Sequence, residues 1–368
     1  MKERTKNILA YSALLSGALL LGGGIMAGAY SLYLKSIASP LDDAKNKKFT
    51  ESIIRYAERL QISNNPRDLV VASKLLDFHE MAKKPEQAAN PMHVDRLKKA
   101  IALAPGDADI AWLEAMGCGR LEAACNRENA VARLKQMEPE NLAVYLLAFD
   151  RADKAGDKAR QKTELQAMAN SRYSDIHYFS IGKLYYEAFR GWHSPMEISV
   201  KEIFGDESNQ APVTDDESRK VVAIGYSFMI GLPPLQQLLT HCKSEKLPED
   251  ELQSCQKIAA LMVQDKTLIM HRIGLRIGLA VFKQEPAASQ WREAFRTNAW
   301  LNMYRPNKKT KYSAREEIRS WPHEDEDEVG RIRTMRAMEG IAPTPPANWL
   351  PEDESTRKLL STPATTKQ

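Results

Sequence analysis

Polar and apolar positions divide the chain sharply near its start. Lys2, Arg4 and Lys6 precede Ile8 to Leu34, a stretch of 27 residues without one charged side chain. A helix needs about 20 apolar residues to cross a bilayer, so residues 8–34 are expected to form a transmembrane anchor, with residues 1–7 in the cytoplasm. Gly17, Gly22, Gly23, Gly24 and Gly28 would let a second helix approach closely within lipid. Ala27-Gly28-Ala29 has the small-x-small form of a signal-peptidase site. Cleavage there and an uncleaved anchor both remain open; the apolar run, longer than the about 7 to 15 residues of a signal core, favours the anchor. Lys35, Lys45, Lys47 and Lys48 follow the span and dilute the charge asymmetry that orients such segments.

Beyond the span the pattern changes to apolar residues at three- and four-residue steps, the period of a helix with one buried face. Residues 35–49 read as a linker, 50–200 as a first helical domain, 201–216 as a loop, 217–340 as a second helical subdomain and 341–368 as an extended Pro-rich tail. Helices are expected over Glu51 to Leu60, Asp68 to Lys83, Val94 to Leu103 and Asp107 to Met116. Asp107, Asn141 and Asp175 can each cap a following helix by accepting backbone N–H bonds. No alternating strand pattern of useful length occurs, so the fold class is all-α. Val221 to Leu232 is apolar but too short to cross a membrane, and predicts a buried helix ended by Pro233-Pro234. Pro248-Glu249-Asp250-Glu251 reads as a helix start, with carboxylates at the positive end of the dipole. In Ala342 to Pro351, Trp349 and Leu350 would anchor the strap on the helical body or in a partner's groove.

The three capping residues are 34 positions apart, and their neighbours align. Ala104 to Ala108 returns as Glu138 to Leu142 and more faintly as Arg172 to Ile176, while Leu97, Val131 and Leu165 keep one register and Ala100, Leu134 and Met168 another. With Gly156-Asp157 at the intervening turn, Val94 to Arg190 resembles the tetratricopeptide repeat family. The motif is degenerate, because Arg127 and Gln161 occupy a position where that family places a small residue, and Tyr173 stands where Pro105 and Pro139 close the earlier units. The resemblance implies a helix-turn-helix solenoid whose inner groove would be lined by Asp109, Trp112, Met116, Leu146, Asp150, Asp153, His177 and Ser180. Trp112 and Leu146 have a simpler role open to them, as core.

Composition narrows the function classes. A net charge of +4 over 368 residues gives no strong lean towards nucleic acid. Four cysteines fall as two local pairs, Cys118 with Cys125 and Cys242 with Cys255, each flanking a predicted turn between helices. Two hairpin bridges behind a membrane anchor suggest an oxidising compartment. The seven histidines form no H-E-x-x-H pair, and Walker, Gly-x-Ser-x-Gly and dinucleotide-binding signatures are missing. No metal or cofactor is therefore expected, and no enzymatic activity is assigned. Arg272 and Arg276 share one helical face and could hold an anion or an acidic partner, or pair with acids on a neighbouring helix. Gly274 and Gly278 share another face and would let a neighbouring helix approach closely. The acidic run Glu324 to Glu328 reads as a solvated helix start. The expectation is a single-pass protein of a bacterial inner membrane, its bulk periplasmic, acting as a helical scaffold for a protein or peptide partner. Two other classes stay open: a cell-wall hydrolytic enzyme with a high-pKa carboxylate at a junction of helices, and a structural subunit of an envelope complex.

Overall fold

A computed structural model describes residues 43–83, 89–116, 125–199, 202, 211–229, 233–302, 315, 318–319, 321, 327–338 and 340–361. The first helix, α1 (Asp43–Leu60), already departs from the sequence expectation, because the polar stretch read as a linker is helical from Asp43 onward. Its apolar face explains why. Phe49 meets Trp192 edge-on at 5.4 Å, and the Tyr56 hydroxyl donates to the Ala188 carbonyl at 3.1 Å. Lys45 pairs with Glu202, so the polar residues of this stretch form the outer face of a helix anchored from within.

Among the described residues, nine helices lie between α1 and α11. They are α2 (Pro66–Lys83), α3 (Pro91–Leu103), α4 (Ala108–Ala115), α5 (Arg127–Met137), α6 (Leu142–Lys154), α7 (Lys158–Ala169), α8 (Tyr178–Ala188), α9 (Asp215–Met229) and α10 (Leu235–Cys242). The remainder are α11 (Glu249–Met262), α12 (Leu268–Val281), α13 (Ala287–Asn302), α14 (Glu328–Met338) and α15 (Glu354–Ser361). No strand occurs among the described residues, only two isolated bridges, so the protein is all-α. Among the described residues no helix is long and apolar enough to cross a membrane; the expected anchor at 8–34 lies outside them.

Local chemistry sets the boundaries. Asp107 accepts from Ile110 N at 3.1 Å and starts α4, and Asn141 accepts from Ala143 N at 3.1 Å and starts α6. Asp175 accepts from His177 N at 2.8 Å, but α8 begins only at Tyr178, because His177 adopts left-handed backbone with φ 56°. That conformation is unusual for a residue with a side chain. Gly156, at φ 69°, turns α6 into α7, and Asp157 caps the second helix. Pro248 precedes α11, whose first turn carries Glu249, Asp250 and Glu251, as expected.

Successive helices pack against each other: α4 on α5, α6 on α7, α8 on α9 and α11 on α12. Leu97, Val131 and Leu165 are all buried, as are Ala100, Leu134 and Met168, so each aligned set lies at one depth. The turns that join these elements also touch. Asn141 Nδ2 donates to the Asp175 carbonyl and Asn141 Oδ1 accepts from Asp175 N, both at 2.9 Å across a separation of 34 residues.

The expected division into two helical subdomains does not interrupt the core. One cluster of buried apolar residues runs from Ile53 through Tyr185, Leu238 and Ile277 to Trp321. α7 packs against α11 and α6 against α10, so the second half covers a face that the first would otherwise expose. α12 needs close neighbours to join this core. A Cβ on Gly274 would stand 2.7 Å from the Met262 Cβ of α11, and one on Gly278 would overlap the Trp291 ring of α13. Both glycines thus have the packing role that their spacing implied. Cys242 is bonded to Cys255, tying the end of α10 to α11. Cys125 is disulfide-bonded as well; its expected partner, Cys118, lies outside the described residues.

The Pro-rich strap lies on α13. Arg296 Nη1 donates to the carbonyls of Pro346 and Trp349, at 2.7 and 3.2 Å, and Trp300 Nε1 donates to the Ala342 carbonyl at 3.0 Å. Prolines withhold N–H groups, and the strap is therefore held through its carbonyls. Trp349 packs on Trp300 at 5.2 Å, whereas Leu350 is exposed.

Candidate functional site

The polar residues that stand out are buried inside the stack rather than spread along its surface. His177, at the start of α8, points Nδ1 at Asp109 Oδ1 of α4 at 3.0 Å and Nε2 at Glu138 Oε2 at 3.1 Å. Both ring nitrogens face carboxylates, so both carry protons and the ring is an imidazolium. Burial works against that charge, but the hydrogen bonds to Asp109 and Glu138 prevail and raise His177 to about 10. Asp109 and Glu138 respond in the opposite sense: burial opposes their charge, and hydrogen bonds from His177 hold both below the usual carboxylate range.

The surroundings complete the cluster. Ser180 donates to Asp109 at 2.5 Å, and Arg67 of α2 reaches Asp107 at 2.8 Å and Asp109 at 3.2 Å. The Trp112 ring lies 4.9 Å from the His177 ring, which gives the imidazolium an aromatic face as well. Arg67, Asp107, Asp109, Glu138, Asn141, Asp175 and His177 thus join α2, α4, α6 and α8 by way of their caps.

Serine, histidine and aspartate in proximity invite comparison with a nucleophilic triad, and the geometry excludes it here. Ser180 bonds to the carboxylate rather than to a ring nitrogen, Glu138 occupies Nε2, and a protonated ring cannot accept a proton. The cluster clamps helices together.

The other expected groove residues divide by burial. Trp112, Leu146 and Asp150 are buried, the first two in the apolar core. Lys154 pairs with Asp150 Oδ2 at 2.8 Å, while Asp150 Oδ1 is buried without a partner. Met116, Asp153 and Ser180 are half-exposed, and Asp153 accepts from Gln161 at 2.9 Å. The resemblance implied that Asp109, Trp112, His177 and Ser180 line an inner groove; the structure gathers the four into one cluster in which Asp109, Trp112 and His177 are buried. Glu138 and Arg67 escaped sequence reading; the only signal for Glu138 was its place three residues before the Asn141 cap.

Two further polar sites lie in the second half. Asp265, in the turn before α12, accepts from Thr267 N and Oγ1 at 2.7 Å, while its Oδ2 is buried without a partner and Ser174 stands alongside outside hydrogen-bond geometry. Burial pushes its carboxyl up to about 6. Arg272 and Arg276 lie half-buried on α12, and burial lowers both guanidinium pKa values. No cluster of metal-ligating side chains occurs among the described residues.

Fold and cluster together define an all-α protein of packed helix pairs, compatible with a helical repeat and stitched by one buried imidazolium. No protein-family model, curated protein or solved structure matches the chain.

Proposed function

We propose that the chain is a membrane-anchored, periplasmic helical-repeat scaffold, related in design to tetratricopeptide solenoids, that holds a protein or peptide partner in a bacterial envelope. The observation that carries this reading is the cap-to-cap bonding of Asn141 with Asp175, at the 34-residue interval found in the sequence. Bonding of this kind fixes one helix pair against the next and, repeated along a stack, would make an extended surface, which suits binding better than turnover. The span at 8–34 supplies the tether, and the Cys242–Cys255 bond fits an oxidising compartment. A partner would meet the half-exposed rim formed by Met116, Asp153 and Ser180, not the buried Trp112 and Leu146.

Photo-crosslinking from Met116 and Asp153 in intact membranes, followed by mass spectrometry, tests it. One specific protein crosslinked from both positions, and not from exposed Ile62 on the α1–α2 turn, is the expected outcome. Recovery of no specific species, together with hydrolysis of purified cell wall by the protein, would overturn the scaffold. The hydrolytic alternative has one observation in its favour, the carboxyl of Asp265 raised to about 6 where α12 meets the loop before α8. It predicts that Asp265→Asn abolishes cell-wall hydrolysis while the fold is retained.

A further inference from the structure

Lys243 closes α10, the helix that packs against α12 and ends in the Cys242–Cys255 bond. Arg272 and Arg276 stand four residues apart on α12, which puts their side chains on one face about 5–6 Å apart at Cβ. Arg276 repels both of its neighbours: after burial, its charge is the next cause lowering the pKa of Lys243 and of Arg272. The packing of α10 on α12 thus brings Lys243 and Arg272 within electrostatic reach of Arg276.

Their acidic counterparts are few. Among the described residues, Asp353, at the foot of the Pro-rich strap, faces Arg272, and Glu251 on α11 lies 3.0 Å from His241 Nε2. Among the described residues Arg276 makes no hydrogen bond or ion pair, and its Nε is buried with no acceptor. An orphaned guanidinium N–H beside two like charges is costly to bury.

We propose that Lys243, Arg272 and Arg276 form a binding site for a phosphate group at the α10–α12 junction. Three cations with one facing carboxylate leave an excess of about two positive charges, which matches a phosphate of about −1.5 to −2 better than a single carboxylate. A tetrahedral oxyanion also presents several acceptors at once, enough to serve Arg276 Nε together with the ammonium of Lys243. The phosphate group could belong to free phosphate or to an anionic lipid headgroup at the membrane that tethers the chain. The cation cluster stands apart from the scaffold reading, whereas the lipid source and the nanodisc format rest on the membrane tether of that reading.

The test uses the full chain in zwitterionic phosphatidylcholine nanodiscs, titrated with inorganic phosphate at constant ionic strength and followed by thermal unfolding. Phosphate is expected to raise Tm in a saturable way that chloride does not reproduce. Arg276→Gln should remove the response and, without phosphate, unfold at a Tm equal to or above wild type, because an unpaired buried charge has gone. A merely structural arginine would instead lower Tm on removal. Lys243→Gln, a surface change, should weaken the phosphate response at least tenfold in midpoint and keeps the test decisive if Arg276→Gln does not fold.

A second arm replaces phosphatidylcholine with phosphatidylglycerol and reads hydrogen-exchange protection of α12. Protection gained only with the anionic lipid, and lost in Arg276→Gln, assigns the phosphate to a headgroup. Response in neither arm, or capture of an acidic peptide with no response to phosphate or lipid, would overturn the proposal.

Discussion

His177 is legible in the sequence as one of seven histidines and as a groove candidate, yet the structure places it between two carboxylates in a buried cluster. Removing it leaves Asp109 and Glu138 facing each other in a buried site, and breaking a buried charge pair costs about 3–5 kcal/mol. His177→Ala should fall at the lower end, because Arg67 and Ser180 still serve Asp109. Urea unfolding measures it. The pH dependence has a definite sign. His177 is raised from 6.5 to about 10, so its contribution is complete below pH 6.5 and fades as pH rises through 10. Asp109 and Glu138 are depressed from 3.8 and 4.5, so theirs is present above those values and fades as pH falls through the lower folded ones. The alkaline loss should be missing from His177→Ala. Gly156 makes a simpler residue-scale case: its φ of 69° favours glycine, and Gly156→Ala is expected to cost about 1–2 kcal/mol in the same measurement.

At the scale of elements, most helices were legible because their apolar residues recur at helical steps and their caps are short polar residues. Asp107, Asn141 and Asp157 show the rule at work, each accepting an N–H from the first turn of its helix. Asp175 shows its limit. The residue is right for a cap, but the left-handed backbone of His177 delays the helix to Tyr178. The start of α1 was illegible for a different reason: polar residues on the outside of a docked helix look like a linker until the partner of its inner face, Trp192, is known. The candidate groove was half legible, since a 34-residue alignment puts residues in register without revealing how deep they lie. The disulfide between α10 and α11 gives an element-scale prediction. It closes a segment of 13 residues, so Cys242→Ser with Cys255→Ser should destabilise by about 3 kcal/mol, and reductant should destabilise wild type by about that much more than the double variant, which keeps the Cys125 bond.

For the whole molecule, the continuity of the core from Ile53 to Trp321 is the governing fact. The polar segment near residue 210 resembles a domain boundary in composition, but no local property of that segment reports that α7 and α11 meet across it. Because both halves share buried neighbours, the body is expected to unfold in one cooperative transition. Coincident denaturation curves from tryptophan fluorescence and helical circular dichroism check this, and two resolved transitions would contradict it.

The link between Asp109 and His177 also bears on how this chain could change in length. It spans 68 residues, twice the interval that separates Asn141 from Asp175. Gain or loss of one 34-residue unit between them could preserve every cap-to-cap bond and still place a different side chain opposite Asp109. The number of units across this stretch is thereby tied to one buried ion pair, and a length variant within it would give up the stability that His177 supplies.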